Sequence, residues 1–302
     1  MEGGEPKAAR EPLVSVIVVS HNVKDLLLDC LTALFEGTEI PFEAIVVDNN
    51  SKDGSAAAVE AAYPRVKLHR MNRNLGSGRA ANAGLEKATG RFVLLLGADV
   101  MVAKGCVDEL ADFLLVRQDA GAVGPRLIQP DGRLDPLARR AFPSPRVAFY
   151  RFSGLSRIFP RSSHFGRHNM GHLSAEKPHE IDAGSASCLL VRRAAIAKIG
   201  FLDPAYRQYG EDLDLCYRLK QGGWKIFYVA SAEAVHVTGA PTRKESAKML
   251  YEFHSAMWTF HHKHYADDLP AFGNGLYWAA IWTRWAVLSG WSAVSRKPSP
   301  NP

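Results

Sequence analysis

The 302-residue chain has only four cysteines, and none of Cys30, Cys106, Cys188 and Cys216 forms a CxxC or another paired spacing. That argues against a zinc site and a disulfide framework, and it suits a reducing compartment. No Gly-x-Gly-x-x-Gly follows the first apolar run; "SHNVKD" stands there instead, which removes the main support for a dinucleotide-binding reading. The opening "MEGGEPKAAREP" has no apolar h-region, so export is not expected, the chain is expected in the cytoplasm, and residues 1–12 read as a disordered lead. An unbroken apolar run of membrane length is missing too. The nearest approach, "FGNGLYWAAIWTRWAVLSGWSAV" from Phe272 to Val294, is divided by Arg284 into halves too short to span. Two placements stay open for it: an interfacial helix with its tryptophans and a snorkelling arginine at the headgroups, or a helix packed back on the domain.

What is present is the composition of an ordinary globular protein, 47% hydrophobic and 23% charged, with a formal net charge of +6 that favours phosphates, anionic lipid or acidic ligands. "LVSVIVVSHN" (Leu13–Asn22) is a β-branched apolar run of the kind buried on both faces of a sheet. A helical stretch "KDLLLDCLTALFEG", a second strand "FEAIVVDNNS", a helix "DGSAAAVEAAY", a strand "VKLHRM", a helix "GRAANAGLEKATG" and a fourth strand "RFVLLLGADV" follow. This alternation predicts an α/β fold with a mostly parallel sheet, which binds ligands at the carboxyl ends of its strands. From Pro125 to about Glu180 the periodicity is lost in a stretch rich in Arg, Phe and Pro, with "QPDGRL" as a hairpin turn. Such a basic, aromatic loop beside a cleft suits an acceptor or a membrane surface. "GSASCLLVRRAAIAKIG" restores a strand and a helix, "WKIFYVASAEAVHV" reads as short strands ending at His236, and a long helix carries His261, His262 and His264 in its last turn.

The densest charge lies in "YGEDLDLCYRLKQGGW" (Tyr209–Trp224), where Glu211, Asp212 and Asp214 open a helix stopped by Gly222 and Gly223. Asp214 and Arg218 stand four apart and are expected to pair. Asp212 has no partner at helical spacing; by pattern alone it is open between a favourable N-terminal charge and a functional acid.

In order, "VSVIVVSHN", "AIVVDNNSKDGS", "NLGSGRAANAGL", "VLLLGADV", "SASCLLVRRAAIAKIGFLDPAYRQYGEDLDLCYRLKQGGWKIFYV" and "AEAVHVTGA" resemble the family 2 glycosyltransferases, especially their bacterial rhamnosyltransferase-like branch, from about Val14 to about Tyr265. Each motif is weak alone; their order is specific. The resemblance implies a GT-A-type fold over residues 13–240, with a nucleotide-binding half at 13–100 and an acceptor half at 101–240 that includes the basic loop 125–180. A helical, membrane-interfacial extension would follow at 241–295 and a disordered tail at 296–302.

The implied activity is an inverting, metal-dependent transfer of a sugar, with rhamnose the branch's own, from a UDP- or dTDP-sugar to a lipid-linked or polysaccharide acceptor in bacterial cell-surface glycan synthesis. Peripheral contact with the inner face of the membrane and no nucleic-acid partner go with it. By the same resemblance Asp212 is the base, with Glu211 orienting the site. Asp99 and His236 would hold Mg²⁺ or Mn²⁺, although Gly97 stands where the family commonly has a first acid. Ser20, Asn22, Asp48 and Asn50 would take the nucleotide, Asp48 favouring a pyrimidine, and Arg79 and Asn82 would lie near the donor. The missing acid at Gly97 leaves a rival reading, a non-catalytic binder of nucleotide-sugar or partner on the same fold. A nucleotidyltransferase would want a Gly-rich basic loop after the first strand, where only Lys24 is found.

Overall fold

A computed structural model of the chain describes residues 11–159, 161–166, 170–237 and 243–294. Most of the lead expected at 1–12, the whole tail at 296–302 and the close of the motif after Val237 lie outside the described residues. The first half alternates as the pattern requires: β1 (Val14–Ser20), α1 (Lys24–Gly37), β2 (Phe42–Asp48), α2 (Ser55–Ala62), β3 (Lys67–Arg70), α3 (Ser77–Leu85), β4 (Phe92–Gly97), β5 (Val100–Val102), α4 (Cys106–Val116) and β6 (Ala120–Ile128). Two short helices, α5 (Pro145–Phe152) and α6 (Leu155–Ile158), precede β7 (His179–Ile181), β8 (Cys188–Arg192), α7 (Arg193–Ile199), α8 (Glu211–Gln221) and β9 (Lys225–His236). The helices α9 (Arg243–His264) and α10 (Ala271–Val294) follow.

One nine-stranded sheet runs in the order β3-β2-β1-β4-β8-β6-β9-β5, with β7 on β9. The strands β3, β2, β1 and β4 are parallel, in register through Val18↔Val46 and Val18↔Leu96. Their apolar residues are buried between helices on both faces, as in α1, where Leu27, Leu31 and Leu34 form one inward stripe. Beyond β4 the α/β sheet becomes mixed, although β6 and β9 are again parallel. The strand β8 is antiparallel to β4 and β6, and β5 and β7 are antiparallel to β9, so the sheet is mixed. The cause is that "RFVLLLGADV" does not end as one strand: the chain turns at Ala98–Asp99, and β5 leaves β4 to pair with β9. The segment expected as short strands is a single β9, bent where its register against β6 shifts after Pro125.

The acidic helix α8 is fixed from within. Asp214 is fully buried, and its carboxylate accepts from Arg218 Nε at 2.7 Å, Lys263 Nζ at 2.6 Å and His264 Nε2 at 2.8 Å. The expected pairing with Arg218 is therefore one arm of a larger knot, and the terminal histidine His264 serves it rather than merely facing the helix dipole. Lys263 also reaches Asp203 at 2.6 Å, and Arg218 donates to the carbonyls of Ile199 and Phe201. The knot ties α9 to α8 and to the turn before it.

The helix α10 packs back on α9: Tyr277 and Ile281 are buried with Ala148 against Met257 and Trp258, and His261 Nε2 donates to Asn274 Oδ1 at 2.7 Å. Phe272, Leu276, Trp278, Val287 and Leu288 of α10 remain exposed. Among the described residues no helix is long and apolar enough to cross a membrane.

Burial works against the Asp214 charge, but the hydrogen bonds from His264 and Lys263 and the charge of Arg218 outweigh it and hold the carboxyl at about 2. A depressed folded value contributes stability above the ordinary value of 3.8 that is lost as pH falls toward 2. Asp214→Asn should cost about 3–5 kcal/mol in urea unfolding at pH 7, because it leaves buried cations uncompensated. It should also flatten the acid limb of the stability curve between about pH 4 and pH 2.

Candidate active site

A cleft of about 2390 Å³ opens at the carboxyl ends of β1 and β4 and continues along α9 and α10. His21 and Asn49 line one end of it, Asp99 and His236 a second wall, and Arg140, Glu211 and Asp212 the wall made by α8 and the preceding loop. The helix α8 reaches this wall because Gly76, at φ +88°, lets the loop before α3 touch the chain at Arg207; a Cβ there would stand 2.2 Å from the Arg207 carbonyl oxygen.

Asp212 is held from a distance in sequence. Arg140 Nη2 donates to its Oδ2 at 2.6 Å and to the Gly184 carbonyl at 2.6 Å, while the Ala186 N–H reaches the same Oδ2 at 3.3 Å. Both charged side chains are 12% exposed, so the pair is close to dry yet opens into the cleft. Next to it, Glu211 is buried and accepts from Ser77 Oγ at 2.5 Å, with its Oε2 left without a partner. Burial, with the Asp212 charge beside it, pushes the Glu211 carboxyl up, against the pull of Ser77.

On the metal side, His236 ends β9 opposite Val100, so the β5–β9 pairing carries its ring to Asp99. Its Nδ1 bonds to the Asp135 carboxylate at 2.8 Å and its Nε2 stands 3.5 Å from Asp99 Oδ2. Burial disfavours charge on the ring, but the bonds to Asp135 and Asp99 outweigh it and raise His236 to about 9. Gly97 has a spatial role: a Cβ there would lie 2.6 Å from Asp99 Oδ1, so the small residue leaves room for the Asp99 carboxylate. Among the described residues no group of three or more His, Cys, Asp and Glu could hold a metal ion unaided. The donor set fits a divalent cation that takes its other oxygens from a bound phosphate and water. With Nδ1–H given to Asp135, the ring can turn Nε2 to a metal beside the Asp99 carboxylate, once its proton is displaced.

The residues expected to take the nucleotide gather around the loops after β1 and β2. Asn22 and Asn50 both adopt left-handed conformations, φ 55° and 65°. Asn22 accepts from the Lys52 N–H at 2.7 Å, and the buried Asp48 accepts from the Ser51 N–H at 3.3 Å. Ser20 Oγ is buried without a partner. Of these loops His21 and Asn49 line the cleft, and Ser20, Asn22, Asp48, Asn50, Arg79 and Asn82 do not; Arg79 donates to the Pro204 carbonyl and Asn82 exchanges two bonds with Leu202. They hold the turn ahead of α8, because the open side of α3 faces that turn.

The partners Arg140, Asp135 and Ser77 were not legible in the sequence. They lie 72, 101 and 134 residues from Asp212, His236 and Glu211, and no local spacing announces them. The basic loop also differs from expectation, since several of its charges are used internally: Arg126 on Glu176, Arg139 on the Ser174 carbonyl and Arg140 on Asp212.

Removing one partner of the near-dry pair should be worse than removing both. Arg140→Met is expected to lose about 3–5 kcal/mol in urea unfolding. The double variant Arg140→Met, Asp212→Asn should recover at least half of that loss.

Comparison with known proteins bears on this geometry. Residues 15–200 match the family model described as Glycosyl transferase family 2. The chain is 33% identical over 261 residues to the N-acetylglucosaminyl-diphospho-decaprenol L-rhamnosyltransferase of Mycobacterium tuberculosis, which covers 82% of this chain and 83% of that protein. Among solved structures it is similar to the mannosyltransferase PcManGT from Pyrobaculum calidifontis in complex with GDP-Man and Mn²⁺, at 18% identity and a TM-score of 0.57 over 95% of this chain and 77% of that one. It is also similar to GalNAc-T7 with UDP, GalNAc and Mn²⁺, at 18% identity and a TM-score of 0.57, covering 81% of this chain but only 48% of that one. Identities this low speak for the shared GT-A fold alone, whereas the family match and the relative aligned along most of both chains settle descent: the chain belongs to glycosyltransferase family 2.

Proposed function

We propose that this glycosyltransferase moves a hexosyl group, with rhamnose the first candidate, from a UDP- or dTDP-sugar to a lipid-linked acceptor, with inversion at the anomeric carbon. The observation that carries the reading is that Asp212, paired with Arg140 and nearly dry, lines the same cleft as Asp99, just past the end of β4. Displacement of a nucleoside diphosphate by a sugar hydroxyl needs a base for the hydroxyl proton and positive charge on the leaving phosphates. In this reading Asp212 takes the proton while Arg140 and the Ala186 N–H fix the carboxylate's orientation. Burial, and then the charge of Asp212, raise the Glu211 carboxyl, which favours its protonated form beside the base. Asp99 and His236 would hold a divalent cation, which supplies Lewis-acid stabilisation of the diphosphate. The Asp48 carboxylate and the Asn22 and Asn50 turns, next to the cleft residues His21 and Asn49, would take the base, where an acid facing an imide N–H would favour uracil or thymine. The relative's acceptor, a sugar diphosphate on a polyprenol, sets the lipid-linked class as the first to try. The exposed apolar side of α10 supports peripheral contact with the membrane surface that carries such an acceptor, at the cytoplasmic face.

The non-catalytic alternative loses its motive, because Gly97 makes space for the Asp99 carboxylate rather than marking a decayed site. Binding of UDP and dTDP with and without Mn²⁺, followed by transfer assays with a panel of their sugars, tests the reading. Metal should tighten nucleotide binding in the wild type and not in Asp99→Ala. Asp212→Asn should bind nucleotide normally and lose transfer by about 10²- to 10⁴-fold. Normal transfer by that variant would remove Asp212 as the base, and no nucleotide binding under any condition would overturn the enzymatic reading.

A further inference from the structure

The turn that leads into α8 carries a backbone cost that the base does not explain. Tyr209 has φ +68° and Gly210 φ +86°, two left-handed residues in succession. Glycine takes that conformation freely, whereas a tyrosine takes it against its own Cβ. Such a residue persists only where its surroundings over-determine it. Here they do: Asn82 holds Leu202, Lys263 holds Asp203, Arg79 donates to the Pro204 carbonyl, and Gly76 lets Arg207 lie against the loop before α3. The bracing keeps a half-buried, cleft-lining tyrosine three residues before Asp212. Burial, and then the charge of Glu211, push its phenol up, so the side chain lies by the carboxylates of α8.

A second cost lies on α9. Tyr209 meets Phe253 edge to face, with ring centroids 6.3 Å apart and planes at 74°. Beside Phe253, Glu252 is 9% exposed and accepts no hydrogen bond among the described residues. The exposed Arg207 places its Nε 3.9 Å from the Glu252 carboxylate, too far for a hydrogen bond. A carboxylate buried this far ordinarily has donors, as Asp214 has three. Both Glu252 and Phe253 line the cleft.

The two observations meet at one place. Arg207 faces Glu252 and Tyr209 faces Phe253, so the turn and α9 join side by side on the cleft wall next to the base. None of these residues belongs to the strand ends, where the glycosyl-transfer reading puts the donor. An aromatic ring beside a carboxylate short of donors is the chemistry that takes a pyranose. The negative face of the ring attracts the sugar's C–H groups, and the carboxylate accepts its hydroxyls in charge-assisted hydrogen bonds.

Resting on the glycosyl-transfer reading, the geometry points to Tyr209 and Glu252 as the residues that select the acceptor's sugar ring. Tyr209 is the platform under the pyranose, and Glu252 takes the hydroxyl donors that the protein does not supply to it. Recognition of this kind acts on the sugar itself and needs no lipid. A glycine at 209 would remove the strain and the platform together.

The test uses the full chain with UDP or dTDP and Mn²⁺. The methyl pyranosides of N-acetylglucosamine, glucose, galactose and mannose are the probes, with affinity read by saturation-transfer NMR. Wild type should bind at least one of them, although none carries a lipid. Tyr209→Ala and Tyr209→Gly should each weaken that binding about tenfold, while Tyr209→Phe, which keeps the ring, should stay within about threefold of wild type. Glu252→Gln should weaken it about fivefold. All four variants should keep wild-type nucleotide affinity. In urea, Tyr209→Gly should unfold at a higher midpoint than Tyr209→Ala, since both lose the ring and only glycine relieves the backbone. No pyranoside bound by wild type overturns the subsite, as does unchanged affinity in Tyr209→Gly or Glu252→Gln. A Tyr209→Phe loss equal to that of Tyr209→Ala, or a parallel loss of nucleotide affinity, overturns it too, because a structural role alone would produce either. If Tyr209→Ala does not fold, Tyr209→Gly and Glu252→Gln decide. Nucleotide binding by the wild type reports separately on glycosyl transfer, so failure of that reading is distinguishable from failure of the sugar subsite.

Discussion

The buried carboxylate of Asp214 is the constraint on which the site depends. It sits at zero exposure, ligated by Arg218, Lys263 and His264, and so fixes the helix that carries Glu211 and Asp212 to the helix that forms the far wall of the cleft. Desolvating a charge this far is tolerable only with several donors in good geometry, and here they come from two helices. The consequence is positional: the carboxylates of α8 and the cleft wall of α9 cannot shift independently. A site split between a sheet edge and a C-terminal helical layer gains the rigidity that acid–base chemistry needs from a residue that touches no ligand.

The neighbouring charges divide by environment. Asp212 is paired with Arg140 in a nearly dry setting, whereas Glu211, one residue away, has only a serine hydroxyl as partner, and burial pushes its carboxyl up. On the opposite side, the short β5–β9 pairing brings His236 against Asp99, and Asp135 holds the ring. Gly97 completes the arrangement by leaving space for the Asp99 carboxylate, which gives a physical reason for the absent acid at that position.

Much of the fold was legible in the sequence. Buried β-branched runs at Val14–Ser20, Phe42–Asp48 and Phe92–Gly97 mark strands because nothing else accounts for apolar residues on both faces, and the Asp214–Arg218 spacing announced its pair. The mixed character of the sheet was not legible. Direction is decided by how the chain turns at Ala98–Asp99 and by the long return to β8, neither of which has a periodic signature. The site was legible as single residues and illegible as a network. Asp212 and His236 stand out by position, but Arg140 and Asp135 come from a loop whose composition suggests only a basic surface. Arg79 and Asn82 show the same limit: in sequence, a Gly-rich turn opening a helix looks the same whether its side chains face a phosphate or bond, as here, to the turn at Leu202–Pro204.

The central claim is a direct displacement in which one anionic carboxylate, Asp212, serves the incoming hydroxyl. The measurement that tests it most directly is the anomeric configuration of the glycosidic bond formed by the wild-type enzyme, read by proton NMR of the product against that of the donor. The account predicts inversion, since a single base and no second displacement lie on its path. A product that retains the donor's configuration would contradict it, because retention requires a different participant at the anomeric carbon from the one this cleft provides.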